Sequence, residues 1–303
     1  MRLVSNHKNR LSGVFAPVTT PFRNGVLALD DLRFNLRKLR ASSLAGYFAL
    51  GSNGEFRSMS DDEQVRALEV FAEENGGKTV MVGAACESTR HTIEKTKRAA
   101  EMGFAYASIL TPSYFARQMT DAALTGFYEA VADASPIPVL LYNAPGFAGG
   151  VQLSPKTVNR LAAHPNIAGM KDSSPAGPGR FLAALDRSRE FHILAGSVSF
   201  FYPSLHLGAV GGIISLANAL PEPCCELYRL FLAGEYARAL DLHFRLARLN
   251  SAVSGAHGVA GVKAAMDLAG FYGGEPRHPL LPLADSEREA IRRMIIEEGF
   301  SLD

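Results

Sequence analysis

Eight short apolar runs recur along the chain, each followed by a small-residue loop and an amphipathic stretch. They are VFAPVTT (Val14 to Thr20), GYFALGS (Gly46 to Ser52), TVMVGAA (Thr79 to Ala85), YASIL (Tyr106 to Leu110), PVLLYN (Pro138 to Asn143), IAGMK (Ile167 to Lys171), HILAGS (His192 to Ser197) and VGGIIS (Val210 to Ser215). Their starts fall roughly 20 to 35 residues apart, the length of one strand, one helix and two short loops. The runs are continuous rather than alternating, which suits parallel strands covered on both faces.

The intervening segments carry helix signals. Leu29, Leu32, Leu36 and Leu39 form a stripe at helical spacing beside Asp30 and Asp31, Ser60-Asp61-Asp62-Glu63 is a capping box, and Ser154-Pro155 sets a cap and a first-turn proline before Val158 and Leu161. Eight βα units without a break in composition predict an α/β fold, a closed (β/α)8 TIM barrel rather than an open sheet. Further helical patterns at about 222–233, 235–252, 258–270 and 284–298 follow the last run. The expected division is therefore a barrel over residues 1–221 and a C-terminal helical extension over 222–303, packed as a single structural unit. A dinucleotide-binding fold is the rival architecture, but no GxGxxG follows the first run, and GSNGEF has the wrong spacing and follows the second.

Composition narrows the function. Of 303 residues 47% are hydrophobic and 20% charged, enough apolar material for a large core. Thirty-one basic against thirty acidic side chains leave a formal charge of +1, without the footprint of a nucleic-acid or membrane-surface binder. A small-molecule partner is expected. No apolar run of membrane-spanning length exists, and MRLVSNHKNRLSG has charges but no apolar leader core. Cys86, Cys224 and Cys225 form an odd set without CxxC spacing, which argues against a disulfide framework or a zinc knuckle and fits a cytoplasmic location.

Barrel chemistry sits at the C-terminal ends of strands. Of the eight lysines, Lys8, Lys38, Lys78, Lys95, Lys97, Lys156, Lys171 and Lys263, only Lys171 ends an apolar run. Lys78 precedes its strand, and Lys38, Lys95, Lys97 and Lys156 read as solvated helical positions. A desolvated lysine has a lowered pKa and a neutral amine able to attack a ketone, and the resulting iminium is an electron sink for C–C cleavage or formation. The alternative is a lysine snorkelling out of the barrel mouth. Tyr142, near the end of the fifth run, should project beside Lys171 and can move protons there, although a tyrosine at that place is commonly a core residue. Gly51-Ser52-Asn53-Gly54-Glu55 reads either as an ordinary βα turn or as an anion-binding one. Gly196-Ser197 and Gly211-Gly212, with Ile214 beside them, either admit a substrate closely or bind phosphate. The histidines form no HExxH, His164 precedes a proline and His192 opens a strand, so metal-dependent chemistry is disfavoured and no metal or organic cofactor is expected.

With lysine on the sixth strand and tyrosine on the fifth, the chain resembles the class I pyruvate-dependent aldolases of the dihydrodipicolinate synthase and N-acetylneuraminate lyase family. The similar blocks are GSNGEF (Gly51 to Phe56), CEST (Cys86 to Thr89), SPIPV (Ser135 to Val139), HPNIAGMKDS (His164 to Ser173), LAGS (Leu194 to Ser197), LGAVGG (Leu207 to Gly212), LAN (Leu216 to Asn218) and YGG (Tyr272 to Gly274), so the resemblance spans Val14 to about Leu283. Within the family it looks most similar to the 4-hydroxy-2-oxoglutarate aldolases. The resemblance implies an imine on Lys171, proton handling by Tyr142, a relay at Ser52 where the family usually has threonine, and a carboxylate-binding turn at Asn53. Tyr114 matches a tyrosine lent to a neighbouring subunit's site, which implies a homo-oligomer, a dimer usually doubled to a tetramer. One departure bears on substrate: dihydrodipicolinate synthases carry an arginine five residues after the strand-five tyrosine, and Phe147 stands there. Asn53, Ser173 and Arg180 are the polar candidates for a distal carboxylate. The expected reaction is cleavage of a 4-hydroxy-2-oxo acid, with 4-hydroxy-2-oxoglutarate as best guess, to pyruvate and glyoxylate. The alternatives are the lysine-pathway synthase, a sugar-acid aldolase or dehydratase, and a non-catalytic 2-oxo acid sensor.

Overall fold

The computed structural model describes residues 7–302; residues 1–6, part of the opening segment read for a leader, lie outside the described residues, as does Asp303. Among the described residues, the eight apolar runs become eight strands: β1 Gly13–Pro17, β2 Gly46–Ala49, β3 Thr79–Gly83, β4 Tyr106–Leu110, β5 Val139–Asn143, β6 Ile167–Asp172, β7 His192–Ala195 and β8 Gly211–Ile213. They close into a barrel in the order β1-β8-β7-β6-β5-β4-β3-β2, which is the TIM barrel expected from the pattern. Every residue of β1, β2, β4, β5 and β6 is buried, as strands covered on both faces require.

The strands are shorter than most of the apolar runs. Val18, Thr19 and Thr20 stay buried after β1 has ended, so apolar character outlasts the strand hydrogen bonding. The helix starts have local causes. Ser60 and Glu63 form the reciprocal capping box at Asp61–Glu74, and the Ser88, Thr120 and Ser154 side chains each accept a backbone N–H at the start of Thr89–Glu101, Asp121–Ala134 and Pro155–Leu161. The C-terminal patterns become helices Pro221–Leu232, Tyr236–Asn250, Ala256–Leu268 and Asp285–Glu297. A π turn at Ser251–Gly255 lies between the second and third of these, and the non-helical Gly258 (φ 55°, ψ −138°) kinks the first turn of the third, where the apolar pattern also breaks.

Two compact units share these elements. The first comprises the described residues up to Gly13, Met81–Gly196 and Pro203–Gly212. In it β4, β5, β6 and β7 pair in parallel with consecutive registers, Leu110 beside Tyr142, Tyr142 beside Lys171 and Lys171 beside Leu194. Its centre is Ile109, Leu140, Leu141, Met170 and Leu194, all fully buried, and Tyr128 Oη donates to the Ile109 carbonyl at 2.9 Å. The second unit comprises Val14–Val80, Ser197–Tyr202 and the chain from Ile213 on. There β1 pairs with β2, Phe15 beside Gly46, and a small antiparallel ribbon joins Phe22–Arg23 to Val26–Leu27.

Candidate active site

A parallel strand places alternate residues on one face, so a register that sets Tyr142 beside Lys171 puts both side chains on the same face of β5 and β6. Lys171 Nζ lies 3.3 Å from Tyr142 Oη and 4.4 Å from the centre of its ring. Lys171 is 4% exposed and Tyr142 3%. Burial pushes the Lys171 amine below its ordinary range, and the neighbouring phenol opposes that shift. The pair therefore offers an amine biased toward its neutral, nucleophilic form, with a hydroxyl in reach to give or take a proton.

The next residue of each strand projects to the opposite face. Asn143 Nδ2 donates to Asp172 Oδ1 at 2.7 Å, and Ser174 Oγ donates to Asp172 Oδ2 at 2.8 Å. Burial pushes the Asp172 carboxyl up, and these hydrogen bonds pull it back. Beyond the strand ends, Ser173 N donates to the Asn143 carbonyl at 2.8 Å and Gly196 N to the Asp172 carbonyl at 2.7 Å. A Cβ on Gly196 would stand 1.9 Å from Ser173 Oγ and 2.6 Å from the Asp172 carbonyl oxygen, so this position requires glycine. The polar groups named from sequence at Lys171, Tyr142, Ser173 and Gly196 thus gather at adjoining strand ends of the first unit.

Three further candidates in this unit are exposed, Tyr114 and Phe147 on the segments after β4 and β5 and Arg180 on the first turn of helix Gly179–Ala184. Tyr114 is 80% exposed; its N–H and that of Ser113 donate to Glu87 Oε2 at 2.9 and 2.8 Å, and its ring meets Phe115 edge-on. Phe147 is 59% exposed. Arg180 is exposed, and its Nη2 donates to Gln152 Oε1 at 3.0 Å.

Ser52, Asn53 and Ile214 belong to the second unit. Ser52–Gly54 is a single 3₁₀ turn after β2, flanked by Leu50 (φ 53°) and Glu55 (φ 51°) in the left-handed region, which is costly for residues with side chains. Asn53 Nδ2 is buried and meets no acceptor among the described residues. Glu55 is clamped: its carboxylate lies 2.6 Å from Lys263 Nζ, with both side chains buried, and accepts from Arg277 N at 2.8 Å. Arg277 in turn pairs with Glu63 at 2.6 Å. Burial lowers the Lys263 amine, and the Glu55 charge opposes this. Ile214 is buried, its N–H donating to the Phe15 carbonyl at 2.9 Å.

Two features escaped the sequence reading. The Asn143–Asp172 contact joins residues that directly follow Tyr142 and Lys171, and their adjacency to the named pair was the available signal. Lys263 did not end a strand and so drew no attention as a buried lysine; its setting in GVAGVKAAM, small and apolar on both sides, was the clue.

Comparison with known proteins agrees with the fold. The model of the dihydrodipicolinate synthetase family matches residues 10–298. The chain is 32% identical over 285 residues to the 4-hydroxy-tetrahydrodipicolinate synthase of Methanothrix thermoacetophila, covering 93% of this chain and 95% of that protein. The chloride-inhibited dihydrodipicolinate synthase of Acinetobacter baumannii, solved with pyruvate, superposes with a TM-score of 0.88 at 30% identity, covering 96% and 100% of the two chains. A prophage protein of the same family from E. coli K12, also solved with pyruvate, gives 0.88 at 25% identity, over 96% and 99%. None of these likenesses supports the narrower placement beside 4-hydroxy-2-oxoglutarate aldolases, and membership of a lyase family sets aside the sensor reading. A match along nearly the whole barrel, with a buried lysine and tyrosine side by side on adjacent strands, leads to one conclusion: the chain belongs to the dihydrodipicolinate synthetase family and is a carbon–carbon lyase of the class I aldolase kind.

Proposed function

We propose that this enzyme holds pyruvate as an imine on Lys171 and makes or breaks the bond at the pyruvate C3. The observation that carries the reading is the buried Lys171–Tyr142 contact of 3.3 Å. In the cleavage direction the neutral amine attacks the C2 ketone, and Tyr142 assists loss of water from the carbinolamine to give the iminium. The C4 hydroxyl then yields its proton to Tyr142, the C3–C4 electron pair moves into the iminium, and an aldehyde leaves. Protonation of the enamine at C3 and hydrolysis of the imine release pyruvate and restore the amine. The same reading assigns Ser52 a proton relay, Asn53 with its unpaired amide donor the substrate carboxylate, and Ser173, Gly196 and Ile214 substrate contacts.

The acceptor has two readings, each with its own support. The synthases among the relatives favour condensation of pyruvate with aspartate semialdehyde, giving a 4-hydroxy-tetrahydrodipicolinate synthase. Phe147, standing where the resemblance calls for an arginine, favours cleavage of a 4-hydroxy-2-oxo acid to pyruvate and a short aldehyde such as glyoxylate, because a phenyl ring cannot replace a guanidinium on a carboxylate. Borohydride added with pyruvate is expected to fix one three-carbon unit per chain on Lys171, read by peptide mass mapping. Labelling of another lysine, or trapping retained in Lys171→Ala, overturns the assignment. Condensation rates with aspartate semialdehyde and with glyoxylate then rank the acceptors, and Phe147→Arg is expected to shift that ratio toward the semialdehyde.

A further inference from the structure

Successive residues of a strand face opposite ways. Tyr142 and Lys171 occupy one face of β5 and β6, so the registered pair behind them, Asn143 and Asp172, occupies the other. The 2.7 Å bond between these two side chains runs straight from one strand end to its neighbour, and both are 0% exposed. Their other polar atoms are engaged as well. Leu153 N donates to Asn143 Oδ1 at 2.9 Å, Ser174 Oγ to Asp172 Oδ2 at 2.8 Å and Ser174 N to Asp172 Oδ1 at 3.3 Å.

A buried carboxylate is costly unless donors meet it, and a well-packed apolar pair would fill the same space without that cost. What the polar pair adds is direction and distance. It lies where the strand ladder stops: after the bond from Ser173 N to the Asn143 carbonyl the chain enters exposed positions at Pro175 and Phe147. Strand ends held only by backbone bonds are free to splay there.

We propose that the Asn143–Asp172 bond is a positioning crossbar for the reaction, holding the ends of β5 and β6 at the separation that keeps the Tyr142 hydroxyl within reach of the Lys171 amine. The proposal rests on the reading of Lys171 as the imine-forming group. Its two residues touch no reacting atom and act through the residues in front of them.

An exchange of the two side chains tests it. Asp172→Ala removes the acceptor and Asn143→Ala removes the donor, so each single change breaks the crossbar. The double exchange, Asn143→Asp with Asp172→Asn, restores the bond with its direction reversed and keeps acceptors for Leu153 N and Ser174 Oγ, giving up only the longer 3.3 Å bond from Ser174 N. Each single variant is expected to lower kcat and the rate of borohydride trapping by about 10- to 100-fold, the scale of a displacement near 1 Å, with the pyruvate KM moved less than about threefold. The exchange is expected to recover most of that loss. Folded single variants with wild-type kcat, or a folded exchange as slow as the singles, overturn the crossbar. Should the single variants fail to fold, recovery of fold and turnover in the exchange supports it. Ser174→Ala, which removes one donor to Asp172 and leaves the crossbar bond, is the comparison: turnover close to wild type is expected, and a loss as large as in the single variants counts against the crossbar. Failure of the wild-type protein to trap pyruvate on Lys171 would sink the imine reading itself, whereas intact trapping with indifferent variants sinks the crossbar alone.

Discussion

Tyr142→Phe removes one hydroxyl from a buried ring and little volume, so the fold is expected to survive while turnover falls roughly 100-fold or more, the scale of lost general acid–base assistance. Steady-state rates beside a thermal melt check it; a wild-type rate would make the phenol a structural group. The amine beside it carries a pH prediction. Burial lowers Lys171 from the ordinary 10.5, so the neutral, attacking fraction rises with pH through the lowered value and saturates above it. Pyruvate trapping is expected to level off well before pH 10.5, and a rate still climbing at that point would show an ordinary, solvated lysine. At this scale the sequence was legible wherever chemistry coincides with a strand end, as at Lys171. It was opaque at Asp172 and Asn143, whose partners lie on another strand and whose polarity alone reads as the start of a loop.

The turn after β2 shows what an element needs when its backbone is strained. Glu55 holds a left-handed conformation while Lys263 and Arg277 grip its carboxylate, and Glu63 steadies Arg277. Lys263→Met leaves Glu55 buried without its counter-charge and is expected to cost about 3–5 kcal/mol in urea unfolding; a loss under about 1 kcal/mol, the range of an exposed pair, would mean that the pair is solvated. The Arg277 guanidinium holds the Glu63 carboxyl down to about 2 against an ordinary 4.5. A depressed carboxyl contributes stability that is whole above 4.5 and lost as pH falls toward 2, so the advantage of wild type over Glu63→Gln should shrink across that interval and nowhere above it. Helices with capping serines and strands with unbroken apolar runs were readable from the sequence. Helix His7–Leu11 and the ribbon at Phe22–Arg23 and Val26–Leu27 were not, because elements of five and two residues are too short to show a period. The Lys263–Glu55 pair was hidden for another reason: its halves come together only when the chain is folded.

For the whole molecule, the exposed Tyr114 ring, whose backbone is held by Glu87 and which meets the exposed Phe115 edge-on, is an apolar surface of the kind that suits a partner. If Tyr114 serves a neighbouring chain's site, mixed oligomers of Tyr114→Phe and Lys171→Ala chains should regain activity that neither parent has, since some sites then draw one intact residue from each. No rescue in verified mixed oligomers would place Tyr114 in its own chain's site or in none. Tyr142, Lys171, Asn143 and Asp172 lie in strand ends that solvent barely reaches, whereas Phe147 rides on the exposed segment after β5 and Arg180 on the first turn of helix Gly179–Ala184 after β6. Loop side chains are exchanged without repacking a core. Heritable chemistry and negotiable recognition are therefore carried by different parts of the chain: a directed-evolution library confined to the exposed positions Phe147, Gln152, Pro175, Ala176 and Arg180 is expected to move among aldehyde acceptors while every member keeps the Lys171–Tyr142 contact, so that new specificities are reached without passing through a dead intermediate.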